Sequence, residues 1–156
     1  MPLKELTVTT WVGDRDVWRE HLLTQVFAGH LSLLVEQFYQ LTKVPKNILW
    51  ENIAVRVFSI YERRILLEVV EEKRARAQAD YDFLVSEQTT ALFGLSKNPL
   101  SVFHRQKQKI ALSEDLVRVR RTCCYYYQAT EPAEYCGNCP LLLKKKKPIK
   151  IPSLAC

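Results

Sequence analysis

Four of the five cysteines in the chain fall within seventeen positions: Cys123, Cys124, Cys136 and Cys139, spaced C-C-x11-C-x2-C. Cys136-Gly137-Asn138-Cys139 places two sulfurs on one side of a tight knuckle, with Gly137 free to adopt a left-handed conformation. Backbone N–H groups exposed by such a turn can point at the sulfurs and stabilise their charge. The adjacent pair is the unusual part. Neighbouring Cα atoms lie ~3.8 Å apart, short of the ~4.4–6.8 Å usual across a disulfide, so a Cys123–Cys124 bridge would be strained. Zinc sites usually separate their paired cysteines by ~2–4 residues. Four thiolates form the ligand set of a two-iron cluster, and the irregular spacing suggests an uncommon one. A structural zinc site and simple buried thiols stand as alternatives. Cys156 lies far from the group in sequence and reads as a free thiol.

Arginines lead into this group. Leu116-Val117-Arg118-Val119-Arg120 alternates apolar and basic residues, the pattern of a strand with one wet, positive side, and Arg121 follows directly. Tyr125, Tyr126 and Tyr127 are expected to alternate between a packing face and the exterior. His30 and His104 lack a paired carboxylate or metal-ligand spacing and read as structural.

The elements that must position these groups are helical. Asp14 is a natural N-cap for a helix beginning near Arg15. Trp18, Leu22, Val26, Leu31, Leu34, Phe38 and Leu41 recur at helical spacing and are expected to form its buried face. Ala28-Gly29 marks a kink or division, and Val44-Pro45 ends the run. A second helix is expected from Lys46 or Asn47, burying Leu49, Trp50, Ile53, Val57, Ile60 and Tyr61. Glu71 to Ala79 reads as a solvated helix, after which Phe83, Leu84, Leu92 and Phe93 return to the core. Leu6 to Val12 reads as a short strand or extended arm. The fold expected is mainly α: a helical body over 1–95, a small cysteine-rich β-hairpin or loop lobe holding a cluster over 96–143, and a basic tail over 144–156.

The chain has 156 residues, enough for one domain with its own core; 47% are hydrophobic and 26% charged, which excludes disorder and a disulfide-dense miniprotein. A net charge of +6 favours an anionic partner. No stretch approaches a membrane span or a signal-peptide core, so the expected location is cytoplasmic, where cysteines serve metal or redox chemistry. No Gly-rich dinucleotide motif occurs, so electrons are expected from a separate donor protein or reductant. The run Lys144 to Lys147 reads as a solvated tail; no nucleic-acid partner is expected, and its only wider role would be transient association with a membrane surface.

Arg121-Thr122-Cys123-Cys124-Tyr125-Tyr126-Tyr127, followed by Tyr135-Cys136-Gly137-Asn138-Cys139-Pro140-Leu141, resembles the C-terminal signature of FhuF-type ferric-siderophore reductases. Asn98-Pro99-Leu100, the approach Arg118-x-Arg120 and Leu49-Trp50-x-Asn52 are similar to that family too. The likeness runs from about His30 onward. The gap between the cysteine pairs is one residue longer than the family's, and the N-terminal region is shorter. The helical part also resembles, more weakly, the C-terminal region of IucA/IucC-type siderophore synthetases. The resemblance implies a [2Fe-2S] cluster on Cys123, Cys124, Cys136 and Cys139, and an iron–sulfur oxidoreductase that reduces a ferric siderophore to release Fe(II). It places Arg118, Arg120, Arg121 and Asn52 as candidate substrate-binding residues. A [2Fe-2S] electron carrier or sensor without reductase activity, and a zinc-stabilised interaction module, are the competing readings.

Overall fold

The computed structural model describes residues 12–65, 67, 70–110 and 113–144. The strand or arm expected at Leu6 to Val12 therefore lies outside the described residues except for Val12, as does the lysine run beyond Lys144. The first helix, α1, spans Arg15–Val26, and Asp14 caps it by accepting from the Asp16 N–H at 2.7 Å. A π-helical turn, Phe27–Leu31, joins it to α2, Ser32–Thr42. The division expected at Ala28-Gly29 is this turn.

The buried face of α1 and α2 differs from the one expected. Phe27 and Val35 are buried, with Leu23 and Leu31 packed against the same core, while Leu22, Val26, Leu34 and Phe38 are exposed and Leu41 is 82% exposed. An i→i+5 turn holds one more residue than an α-turn, so the apolar face of α2 is shifted by one position relative to that of α1. A simple α-helical period misses that shift.

Lys43, left-handed at φ 59°, terminates α2, and Pro45 precedes α3, Lys46–Ile60. Trp50 is buried as expected, with Leu49, Ile53, Val57 and Tyr61 leaning on the core, but Ile60 is exposed. Ile48, Ala54 and Phe58 complete the buried face, and so does Glu51. A second π-turn, Tyr61–Ile65, follows. Helix α4, Glu71–Val85, keeps its first turns in solvent and buries Ala77, Tyr81 and Leu84. It is tied to α1 through Asp80, which accepts from Arg15 at 2.6 Å and from Arg19 at 3.0 Å.

A 3-10 segment, Glu87–Phe93, then brings Leu92 and Phe93 to the centre. Phe93 is in ring contact with Phe27 (4.6 Å) and Trp50 (6.1 Å). The segment ends on left-handed Gly94, where a Cβ would come within 3.3 Å of the Ala28 side chain. Glycine suits both the conformation and the close approach.

Asn98, 1% exposed, organises the next turn. Its amide donates to the Leu84 and Ser86 carbonyls at 2.8 Å each, and its Oδ1 accepts from the Leu100 N–H at 2.8 Å. It thereby caps α5, Pro99–Phe103, which sends Leu100 and Phe103 into the same core as Phe93. An antiparallel hairpin of β1, Gln108–Ile110, and β2, Ser113–Val117, pairs Gln108 with Val117 and Lys109 with Leu116. The strand expected through Arg120 ends at Val117, because the Arg120 N–H donates to the Asn138 carbonyl (2.9 Å) instead of a strand neighbour. The rest is irregular apart from a 3-10 turn at Tyr126–Gln128 and a final helix, α6, Pro140–Lys144. The architecture is thus mainly helical, with a small hairpin and a cysteine-bearing C-terminal lobe.

Candidate metal centre

All four clustered cysteines meet in the C-terminal lobe. Cys136, Cys139 and Leu142 are buried there, with Cys123, Cys124, Tyr135 and Leu141 packed against them. The Cys124 and Cys136 sulfurs lie 3.7 Å apart. Two thiolates on one tetrahedral metal, with metal–sulfur bonds of ~2.3 Å, stand about 3.8 Å apart. The knuckle closes as a turn in which the Cys139 N–H donates to the Cys136 carbonyl at 3.0 Å. Gly137 does not adopt the left-handed conformation that the sequence suggested; among the described glycines, Gly13 and Gly94 do.

Backbone donors face the sulfurs. The Tyr125 N–H reaches Cys123 Sγ at 3.4 Å, and the chain then turns at left-handed Tyr125 (φ 60°). That turn also breaks the alternation expected of the tyrosines. Tyr125 and Tyr126 are both exposed, while Tyr127 stacks on Tyr135 at 5.1 Å. Burial pushes the Cys136 thiol up, and the neighbouring Cys124 and Cys139 sulfurs push it further, opposed by Arg120. Burial also raises Cys139, opposed by the Leu141 N–H. Neighbouring thiols that raise one another in this way can be deprotonated together only where a cation compensates them, and a coordinating thiol is deprotonated outright. The donor set therefore fits an iron–sulfur group.

The lobe is fastened to α3 by two consecutive residues. Glu51, 2% exposed, accepts from the Arg121 N–H at 2.6 Å, the Thr122 N–H at 2.8 Å and the Thr122 hydroxyl. Asn52 Oδ1 accepts from Arg120 Nη2 at 2.7 Å. Arg120, 7% exposed, also donates from Nε to the Thr122 carbonyl at 3.2 Å and stands 3.8 Å from Glu51. The segment just before the cysteines is thus held from one helical turn, and the Arg120 N–H to Asn138 bond ties it to the knuckle.

A second acidic anchor lies farther along the chain. Glu62 pairs with Arg118 and Lys107 at 2.7 Å each and accepts from the Tyr81 hydroxyl at 2.7 Å. Burial alone would raise the Glu62 carboxyl; the hydrogen bonds from Lys107, Tyr81 and Arg118 outweigh it and hold the carboxyl below its usual range. The Arg118 guanidinium lies 4.7 Å over the Phe58 ring and donates to the Arg105 carbonyl at 2.6 Å. Arg121 is exposed and donates to the Val102 carbonyl at 3.2 Å. His104 packs against Phe58 and Tyr81, with ring centres 5.3 and 5.4 Å away.

Between α3, the hairpin and the cysteine lobe is a cavity of about 790 Å3. Its lining includes Arg56 and Arg63 from α3 and the turn after it, Arg118 and Arg120, and Cys136, Gly137 and Asn138 of the knuckle. Asn52 and Arg121 are not among the residues lining it. Glu51, Glu62, Arg56 and Arg63 were not singled out from the sequence. Glu51 did leave a signal: it shares a helix face with Ala54 and Phe58, and an acid on an apolar face needs a buried donor. Arg56 and Arg63 left none, since an arginine on an exposed face is ordinary.

Two family models match the chain: the Ferric iron reductase FhuF-like transporter over residues 2–111, and the FhuF 2Fe-2S C-terminal domain over residues 120–141. The second spans all four clustered cysteines and identifies the cofactor as a [2Fe-2S] cluster, which removes the zinc alternative. The weaker likeness to IucA/IucC-type synthetases finds no support in these matches. No curated protein and no solved structure matches the chain. The chain belongs to the FhuF-like ferric iron reductase family, with the iron–sulfur segment of that family at its C-terminal end.

Proposed function

We propose that this protein reduces Fe(III) held by a siderophore, in the cytoplasm, with electrons from a separate donor protein or reductant. The observation that carries this reading is the cavity of about 790 Å3, which has Cys136 in its wall and arginines around it. We assign the cluster to Cys123, Cys124, Cys136 and Cys139; when bound, it supplies a single electron at a time. The cavity holds the ferric chelate against the Cys136–Asn138 knuckle, so the donor–acceptor distance is set by packing. The substrate's Fe(III) gains one electron and leaves as Fe(II), because siderophores hold Fe(II) far less strongly. No proton transfer is needed.

Arg118, Arg120 and Arg121 favour the more negative, reduced state of the site and contribute a positive field to the substrate wall. Asn52 keeps Arg120 in place. The Tyr127–Tyr135 stack beside the sulfurs limits their access to water, a recognised lever on potential. No described helix is long and apolar enough to cross a membrane.

Stopped-flow mixing of the anaerobically reduced holoprotein with ferric citrate, hydroxamate and catecholate chelates, with Fe(II) trapped as it forms, tests the reading. The expected result is cluster reoxidation with one Fe(II) released per electron lost. A fully loaded protein that transfers no electron to any chelate, at an adequate potential, would leave an electron carrier or sensor as the function.

A further inference from the structure

The cations around the cavity are not equally free to bind a ligand. Glu62 takes up both Lys107 and Arg118 at 2.7 Å. Arg120 is spoken for by Asn52 Oδ1, the Thr122 carbonyl and nearby Glu51. Arg56, on α3, and Arg63, in the π-turn that continues it, also line the cavity. Both are exposed, and among the described residues neither has an ion-pair or hydrogen-bond partner. They stand seven residues apart, with Ser59 between them on the same wall.

The acidic groups of the cavity sharpen the assignment. Glu51 and Glu62 are consumed by their own donors, whereas Asp115 on β2 and Glu134 in the cysteine lobe face the cavity from other elements. An anionic ligand group is therefore repelled from the hairpin and lobe and drawn to α3. A guanidinium fork suits a carboxylate because it donates two parallel hydrogen bonds in one plane.

We propose that Arg56 and Arg63 determine substrate specificity by binding uncoordinated carboxylates of the ferric chelate, so that the cavity selects anionic chelates over neutral ones. The inference rests on the siderophore-reductase reading for its substrate and adds the residues and charge class that this cavity recognises. Arg118 and Arg120, held by Glu62 and by Asn52, then serve as positioning residues. Val55 and Leu116, also in the lining, offer apolar surface to the chelate's backbone.

Redox-inert Ga(III) complexes separate binding from reduction. Isothermal titration of the holoprotein with Ga(III)-citrate and with a neutral Ga(III)-trihydroxamate gives both affinities without electron transfer. Arg56→Gln and Arg63→Gln are each expected to weaken the anionic complex roughly tenfold, as for loss of a charge-assisted hydrogen bond. Affinity for the neutral complex should change less than about twofold, and the cluster absorption should be unchanged. Arg→Lys at either position should recover part of the loss, since lysine restores charge without the fork. Equal weakening of both complexes, no weakening of either, or no binding of the anionic complex by the native protein would overturn the inference. Binding that follows this pattern without Fe(II) release from the ferric analogue would instead sink the reductase reading and leave the anion site standing.

Discussion

Glu51, buried on α3, accepts a hydrogen bond at 2.8 Å from the backbone N–H of Thr122, the residue immediately before the first clustered cysteine. Seventy-one positions separate the two in sequence. The contact is the clearest link between the helical body and the cysteine lobe, because the same carboxyl group also takes the Arg121 N–H at 2.6 Å.

Glu51→Gln is therefore expected to loosen the lobe. An amide keeps one acceptor oxygen but turns an NH2 toward backbone donors, so a buried donor loses its partner at a cost of about 1–3 kcal/mol. Hydrogen exchange should accelerate first at the Arg121 and Thr122 amides. The cluster should be lost faster in the presence of a chelator, while the α1–α4 amides stay protected. Unchanged exchange at both amides would show that Glu51 is not the anchor.

The helical body is expected to survive cluster loss. Its core joins Phe27, Trp50, Phe58, Leu92, Phe93 and Leu100, whereas the lobe's own cluster, among the described residues, buries only Cys136, Cys139 and Leu142. A body with its own apolar cluster can fold without the lobe. Circular dichroism of the apoprotein should retain most of the helical signal. Collapse of that signal on gentle iron removal would mean that the two parts fold as one unit.

Acid should weaken the α1–α4 contact before the core itself fails. Burial alone would raise the Asp80 carboxyl, but hydrogen bonds from Arg15 and Arg19 outweigh it and hold the carboxyl below its unfolded value of 3.8. A depressed carboxyl contributes stability above the unfolded pKa and loses it as pH falls through the folded one. Glu62 acts with the same sign. Stability measured by urea titration should fall as pH drops below about 4. Asp80→Asn should cost about 1–2 kcal/mol at neutral pH, given its partly exposed partners, and flatten that acid slope. An unaltered slope in the variant would assign the acid sensitivity elsewhere.

Helix existence was legible in the sequence where strong local signals agree, with Asp14 as a cap and Pro45 as a stop; Asn98-Pro99 reads only as a turn, and the short helix α5 that it opens has too little periodicity to be seen. The buried face of α2 was not legible, because the π-turn at Phe27–Leu31 shifts its phase and leaves Leu34, Phe38 and Leu41 in solvent, and α1 turns Leu23 rather than Leu22 to the core. Nor was the end of β2. Alternation through Arg120 looks like a strand, yet the Arg120 N–H is claimed by Asn138 in the knuckle, a long-range contact with no local signature. At the site, the cysteines were visible because their spacing is itself chemical information. Asn52 and Arg120 could each be singled out, but not their 2.7 Å hydrogen bond to one another. The role of Glu51 is only half legible: its place on an apolar face calls for a buried donor, but the Arg121 and Thr122 amides that supply it lie about seventy positions away.

Iron and acid-labile sulfide content, measured with the visible spectrum on anaerobically purified protein and its cysteine variants, tests most directly whether the four cysteines hold the cluster. The native chain is expected to carry about two irons and two sulfides and to be red-brown. Serine at Cys123, Cys124, Cys136 or Cys139 should weaken or abolish that content, and Cys156→Ser should leave it whole. Full iron and sulfide in any one of the first four variants, or their loss in Cys156→Ser, would contradict the assignment.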